Sequence, residues 1–259
     1  MCRLLGIPRS SYYYKAADLV AESELEASVE KIFLENQKRY GARKIKQKLE
    51  QEGVTVSRRR IRRVMKRLNL VSLYQEAAFK PYSKGKNEAP IPNHLDRQFD
   101  AKNPLEAIVT DLTYVRVKNR WAYVCFIIDL YNREIIGLSV GWHKTAELVK
   151  QAIQSIPYAL TKVNLFHSDR GKEFDNQLID EMLEAFDITR SLSQAGCPYD
   201  NAVAESTYRA FKIEFINQES FRTLEELAAK TRDYVHWWNY HRIHGSLNYQ
   251  TPMAIRLIA

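Results

Sequence analysis

Cysteine is nearly absent. Cys2, Cys125 and Cys197 are the three in 259 residues, far apart and with no CxxC pair. That argues against a disulfide framework or a cysteine-built structural zinc site, and it fits a reducing cytosol. Long hydrophobic runs are missing too: none approaches the roughly 18 residues that cross a bilayer. The N-terminus has an early Arg3 but no sustained apolar segment of the secretory kind. A soluble intracellular protein is expected. A hydrophobic content of 45%, with 11% aromatic residues, is ordinary for a chain with packed cores, and the length suits one large domain or two modest ones.

Acidic residues are scarce where positive charge gathers. Residues 1–100 carry 21 Lys and Arg against 12 Asp and Glu, while residues 101–259 carry 18 against 19. The whole excess therefore lies in the first 100 residues, either as an electrostatic footprint for nucleic acid or as a solvated basic surface. Residues 1–22 read as the latter half of a helix-turn-helix around Gly6. They form either a short exposed hairpin or a piece normally preceded by more protein. In residues 23–70, Leu25, Val29, Ile32 and Phe33 fall at helical spacing, as do Ile45 and Leu49. Gly53 ends the second helix and Ser57 caps a third. Ile61, Val64, Met65 and Leu68 make an apolar stripe on that third helix. Its other faces hold Arg58, Arg59, Arg60, Arg62, Arg63, Lys66 and Arg67 with no acid among them. Such cations repel one another unless a polyanion lies alongside, so a basic three-helix DNA-binding domain is expected, against the alternative of a helical interaction domain with a wet basic face. Residues 71–104, with Pro81, Pro90 and Pro92 and no periodicity, read as a linker.

From residue 105 the pattern turns to strands. Residues 107–115, 121–129 and 135–140 are β-branched and aromatic. A helix follows over 145–160, a strand over 163–167, a helix over 176–186, a short strand over 188–192 and a helix over 202–215. The order βββαβαβα predicts an RNase H-like α/β core at 105–218, a mixed five-stranded sheet with flanking helices. Residues 219–259 read as a helical, aromatic C-terminal extension.

Within that core Asp111 lies inside a β-branched strand, Asp169 ends a later strand and Glu205 lies on the final helix. Each has an ordinary explanation singly: an ion pair, a turn, a helix surface. Together they occupy the three places an RNase H-like site requires. Three carboxylates with no His or Cys pattern beside them favour hard cations such as Mg²⁺ or Mn²⁺. Two ions about 3.5–4 Å apart can activate an attacking oxygen and stabilise a leaving one in phosphoryl transfer. Asp129, just before the Tyr131-Asn132-Arg133 turn, is explained by turn chemistry.

These residues carry a resemblance. The blocks Thr110-Asp111-Leu112-Thr113-Tyr114, His167-Ser168-Asp169-Arg170-Gly171, Pro198-Tyr199-Asp200-Asn201-Ala202 with Glu205-Ser206, and the closing Trp238-Asn239-Tyr240-His241-Arg242-Ile243-His244 with Thr251-Pro252 resemble the DDE transposases of the insertion sequence 3 family, OrfB type. These have a retroviral-integrase-like core. The 35 residues between Asp169 and Glu205 match that family's spacing. A Trp often found before the first Asp is replaced here by Glu106-Ala107-Ile108-Val109. The resemblance implies that Asp111, Asp169 and Glu205 are catalytic and hold two metal ions. It implies that Lys212 contacts the transposon end, Arg209 touches backbone phosphate and Asn201 positions DNA. The bland alternative for Lys212 is an ion pair with Glu214 or with neighbours of Glu205. It further implies a transposase of the bacterial nucleoid that cuts at terminal inverted repeats and joins the 3′-OH to target DNA. The enzyme would work as a homo-oligomer on DNA, with an upstream-frame product as a fused or separate partner. The rivals are an RNase H-like nuclease or resolvase that only hydrolyses, and a DNA-binding regulator with a decayed core.

Overall fold

The computed structural model describes residues 22–74, 91–194 and 197–259. The chain divides into two compact units, Met1–Gln75 and Glu76–Ala259. The half helix-turn-helix read near Gly6 and the Lys80–Lys86 stretch lie outside the described residues.

In the first unit three helices, α1 (Glu22–Glu35), α2 (Ala42–Gln51) and α3 (Arg58–Arg67), close around Leu25, Val29, Ile32, Phe33, Ile45, Leu49, Ile61, Val64 and Met65. Gly53 takes φ +80°, the left-handed turn that releases the chain from α2. Ser57 caps α3 by accepting from the Arg60 N–H at 3.3 Å. The basic helix is less uncompensated than its own sequence suggests. Glu22 of α1 pairs with Arg60 and Arg67 at 2.7 Å each, and Glu26 also pairs with Arg67. The acids come from a different helix 38 and 45 positions away, which a reading of α3 alone does not reveal. Arg58, Arg59, Arg62, Arg63 and Lys66 stay exposed without a carboxylate partner among the described residues.

The second unit is built on a five-stranded sheet in the order β3-β2-β1-β4-β5. Strands β1 (Ala107–Val117), β2 (Arg120–Asp129) and β3 (Ile135–Gly141) form an antiparallel meander, and β4 (Leu165–Ser168) and β5 (Thr189–Leu192) continue it in parallel. This is the mixed RNase H-like sheet the pattern predicts. Helices α4 (Ala146–Gln154) and α5 (Gln177–Glu184) carry the two parallel crossovers and bury one face of the sheet through Ile108, Cys125, Ile127, Val149, Ala152 and Phe166. At Gly137 a Cβ would stand 2.6 Å from the Ala152 carbonyl, so a glycine lets α4 lie against β3. The opposite face, with Val109, Val124, Phe126 and Ile128, is covered by α6 (Ala202–Glu214) and α7 (Leu224–Tyr240).

Two expected boundaries do not hold. Residues 91–104 pack onto the sheet instead of linking units: Leu95 is 3% exposed and its N–H donates to Ser191 Oγ at 3.2 Å. Residues 219–259 are part of the same core. Phe221 accepts from the Lys118 N–H, and Leu227, Tyr234 and Trp238 are buried with Phe126 and Phe211. The closing motif acquires a physical reason here. Asn239 uses its amide as a strand would, accepting from the Ile135 N–H and donating to its carbonyl, while Trp238 Nε1 donates to the Arg133 carbonyl. Thr251 caps α8 (Pro252–Arg256), which delivers Arg256 to buried Asp129 and Glu134 at 2.7 Å each. Turn chemistry accounts for only part of Asp129, which accepts from Tyr131 and Leu105 N–H groups and also needs that distant cation.

Candidate active site

Asp111 stands in β1 opposite Phe126, and α6 is bound to the strand at this level. Asn201, at the start of α6, donates to the Thr110 carbonyl at 3.0 Å. One turn past Glu205, the Tyr208 hydroxyl donates to the Asp111 carbonyl and accepts the Phe126 N–H at 2.6 Å. It is thus wedged into the β1–β2 ladder next to the acid. The strand bearing Asp111 and the helix bearing Glu205 are therefore locked in register. Replacing Tyr208 with Phe strands a buried N–H and weakens that lock. It is expected to cost about 1–3 kcal/mol in urea unfolding. A loss under about 0.5 kcal/mol would mean that the ladder closes without the hydroxyl.

Asp169 follows β4 directly and accepts the Gly171 N–H at 2.9 Å, a turn that folds its carboxylate back on the strand end. A Cβ at Gly171 would sit 2.3 Å from Glu173 Oε1, so glycine leaves room for the Glu173 carboxylate where it lies. Glu173 is buried and pairs with Lys144 at 2.6 Å. The loop that launches α6 is pinned from both sides. Arg170 donates to the Ser193 carbonyl, and buried Asp200 accepts from the Gln194 N–H and from Arg97. His167, fully buried against Ser191 and Ser193, is held neutral by desolvation, its pKa lowered to about 4. It is packing, not chemistry.

Electrostatics tie the three acids together. Burial pushes Asp111 up to about 7, and the charges of Asp169 and Glu205 push it the same way against the pull of the Leu112 N–H and Lys144. Asp169 is raised by burial and by Glu173, and Glu205 by burial. Burial opposes the Lys144 ammonium, but Glu173, Asp169 and Asp111 together hold its pKa above the usual lysine value. Among the described residues no three His, Cys, Asp or Glu side chains form a ready-made ion cage. The donors at hand are carboxylate oxygens, a set suited to a hard divalent cation, which would relieve the repulsion that raises Asp111.

The remaining expected contacts divide. Arg209 is exposed on α6, and Lys212 lies over the Tyr114 ring, 4.6 Å from its centre. The expected alternative partner of Lys212, Glu214, is buried and pairs with Arg242 at 2.9 Å. Asn201, expected to position DNA, is buried and donates to the Thr110 carbonyl of β1. Lys144, Glu173 and Tyr208 were not singled out by sequence. The one signal for Lys144 was a cation at a strand-to-helix junction of the same sheet end.

Two models described as integrase core domain match residues 101–198 and 186–252, and one described as an HTH-like domain matches residues 20–78. InsK of insertion sequence element IS150 from Escherichia coli is 29% identical over 264 residues, which is 99% of this chain and 92% of that protein. The transposase InsF of insertion sequence IS3A, also from Escherichia coli, is 27% identical over 262 residues, 96% of this chain and 91% of that one. Among solved structures, the HTLV-2 integrase catalytic core domain, determined in complex with magnesium, is 16% identical at a TM-score of 0.41 and covers 59% of this chain and 96% of that one. The chain thus carries an HTH-like domain ahead of an integrase core domain, and along nearly its whole length it is similar to transposases of insertion sequence elements.

Proposed function

We propose that the chain cuts DNA at the ends of its insertion sequence and joins the freed 3′-OH to target DNA by two-metal-ion phosphoryl transfer. Asp111, Asp169 and Glu205 hold Mg²⁺ or Mn²⁺. What supports this reading is the placement of the three acids: Asp111 in β1, Asp169 just past the end of the adjacent β4, and Glu205 on α6, the helix bonded to β1 at Asp111, with the charges of Asp169 and Glu205 bearing on Asp111. Ions held there would supply Lewis-acid polarisation of the phosphodiester and of the attacking oxygen, water in cleavage and the 3′-OH in joining. The protein's own part is placement. Tyr208 and Asn201 hold α6 on β1, the Gly171 N–H aims Asp169, and Lys144 adds positive charge where a phosphate approaches. In the HTH-like unit, Arg58, Arg59, Arg62, Arg63 and Lys66 contact phosphates of the terminal inverted repeats, and Arg209 and Lys212 meet backbone nearer the site. Several protomers assemble on the DNA.

The test is incubation of the full chain with a labelled duplex carrying the element's end, a target plasmid and Mg²⁺. Cleaved ends and joined product are expected from the wild type. Glu205→Gln is expected to yield neither, with its gel-shift affinity unchanged. Cleaved ends without joining would favour a hydrolytic nuclease. Binding without cleavage by the wild type in either Mg²⁺ or Mn²⁺ would favour a regulator.

A further inference from the structure

Away from the carboxylates, the β1–β2 hairpin exposes two large rings. Tyr114 is 56% exposed and Trp121 47%, and they meet edge to face with ring centres 5.1 Å apart. Each has a cation on it: Lys212 Nζ lies 4.6 Å from the Tyr114 centre, and the Arg116 guanidinium 5.1 Å from that of Trp121. Neither cation has a carboxylate partner among the described residues. Lys118 and Arg120 extend the charge around the turn, and no Asp or Glu occurs between Leu112 and Ile128. A ring covered by a cation and otherwise in solvent offers a π-face beside positive charge. That combination matches a base next to its phosphate, and an apolar protein partner would find the cations costly to desolvate.

The position is informative as well. Tyr114 is three residues along β1 from Asp111, about 10 Å of strand. Lys212 is seven residues along α6 from Glu205, about 10 Å of helix. Because Lys212 rests on Tyr114, strand and helix run together from the acids to the rings. We propose that Tyr114 and Trp121, flanked by Lys212 and Arg116, form a stacking platform for unpaired bases of a DNA strand, further along the same strand and helix than the carboxylates. Only the placement of that strand rests on the proposed function; the stacking chemistry stands on the rings themselves.

The experiment titrates the full chain with an oligo(dT) strand of about twelve nucleotides and with a fully abasic strand of the same length, following tryptophan emission and anisotropy. Cations on α3 and elsewhere bind both strands alike, so the difference between them isolates stacking. Trp121→Leu and Tyr114→Leu are each expected to weaken oligo(dT) binding roughly tenfold and leave the abasic strand unchanged, whereas Trp121→Phe, which keeps a ring, retains most of the affinity. Unchanged oligo(dT) affinity in both Leu variants overturns the platform. So does a wild type that binds the abasic strand as tightly as oligo(dT). Loss of self-association in the ultracentrifuge with oligo(dT) affinity intact would assign the rings to a second copy of the chain, and also overturns it. A wild type that stacks bases but never cuts DNA would defeat the proposed function and leave the platform standing.

Discussion

Asp111→Asn is expected to lower metal-dependent cleavage and joining by about a thousandfold or more while making the metal-free protein more stable at alkaline pH. The two effects have one cause. The Asp111 carboxyl is pushed from an ordinary 3.8 up to about 7 by burial and by the charges of Asp169 and Glu205. A carboxyl with a higher pKa folded than unfolded takes up protons on folding between the two values. Its stability contribution is therefore complete below about pH 4 and is lost as pH rises through about 7. At about 1.36 kcal/mol per pH unit, the charged form costs the fold about 4 kcal/mol above that range. Asn keeps the shape and removes the charge. Urea unfolding in EDTA should show Asp111→Asn more stable than the wild type by about 2–4 kcal/mol at pH 8 and nearly equal to it at pH 4. Adding Mg²⁺ should stabilise the wild type at pH 8 and not the variant. Undiminished cleavage by the variant would sink the site assignment, and lower stability at pH 8 would show that Asp111 is not under electrostatic stress.

The parts of this molecule legible in sequence are those written in local periodicity. The stripe Ile61, Val64 and Met65 forecasts the buried face of α3, and β-branched runs forecast the strand that carries Asp111. Partners that meet across the fold leave no such trace. Glu22 reaches Arg67 across 45 positions, Arg256 reaches Asp129 across 127, and the Tyr208 hydroxyl enters a strand ladder 97 positions upstream. Residues 91–104 look like a linker because Leu95 and Phe99 pack singly from irregular backbone, a pattern with no period to detect. Likewise Tyr234 and Trp238 give a helix pattern that says nothing about which core they complete. Asp111 and Glu205 are visible because they stand on regular elements, and Asp169 because it directly follows one. Lys144 and Glu173 are not, because they sit in loops that only the fold brings beside those acids.

Arg242→Ala is expected to destabilise the chain by about 3–5 kcal/mol, the largest single-substitution loss of stability predicted for this unit. Glu214, in the last turn of α6, is fully buried and accepts from Arg242 Nε at 3.0 Å and Nη2 at 2.9 Å, with the Tyr234 hydroxyl at 2.9 Å. Arg242 in turn lies on the Trp238 ring, 4.3 Å from its centre, and beside His244 Nδ1 at 3.2 Å. Truncating the arginine leaves a carboxylate in an apolar core with its principal cation gone. Removing both charges leaves none. The double variant Glu214→Leu with Arg242→Leu should therefore be markedly more stable than Arg242→Ala alone, a non-additivity of about 2 kcal/mol or more that chemical denaturation would read directly. Equal losses in the single and double variants would mean that Arg242 acts through packing on Trp238 alone. The pair also sets what this region does for the candidate site. Helix α6 is held at the Glu205 end by Asn201 and Tyr208 and at the far end by Glu214, so Arg242→Ala releases one clamp of two. Well below its lowered melting temperature the variant should still cut DNA at a rate per folded molecule within about threefold of the wild type, because Asn201 and Tyr208 still keep Glu205 in register with Asp111. Combining Arg242→Ala with Tyr208→Phe removes the far clamp and weakens the near one to Asn201, and cleavage should then fall by more than the product of the two single effects.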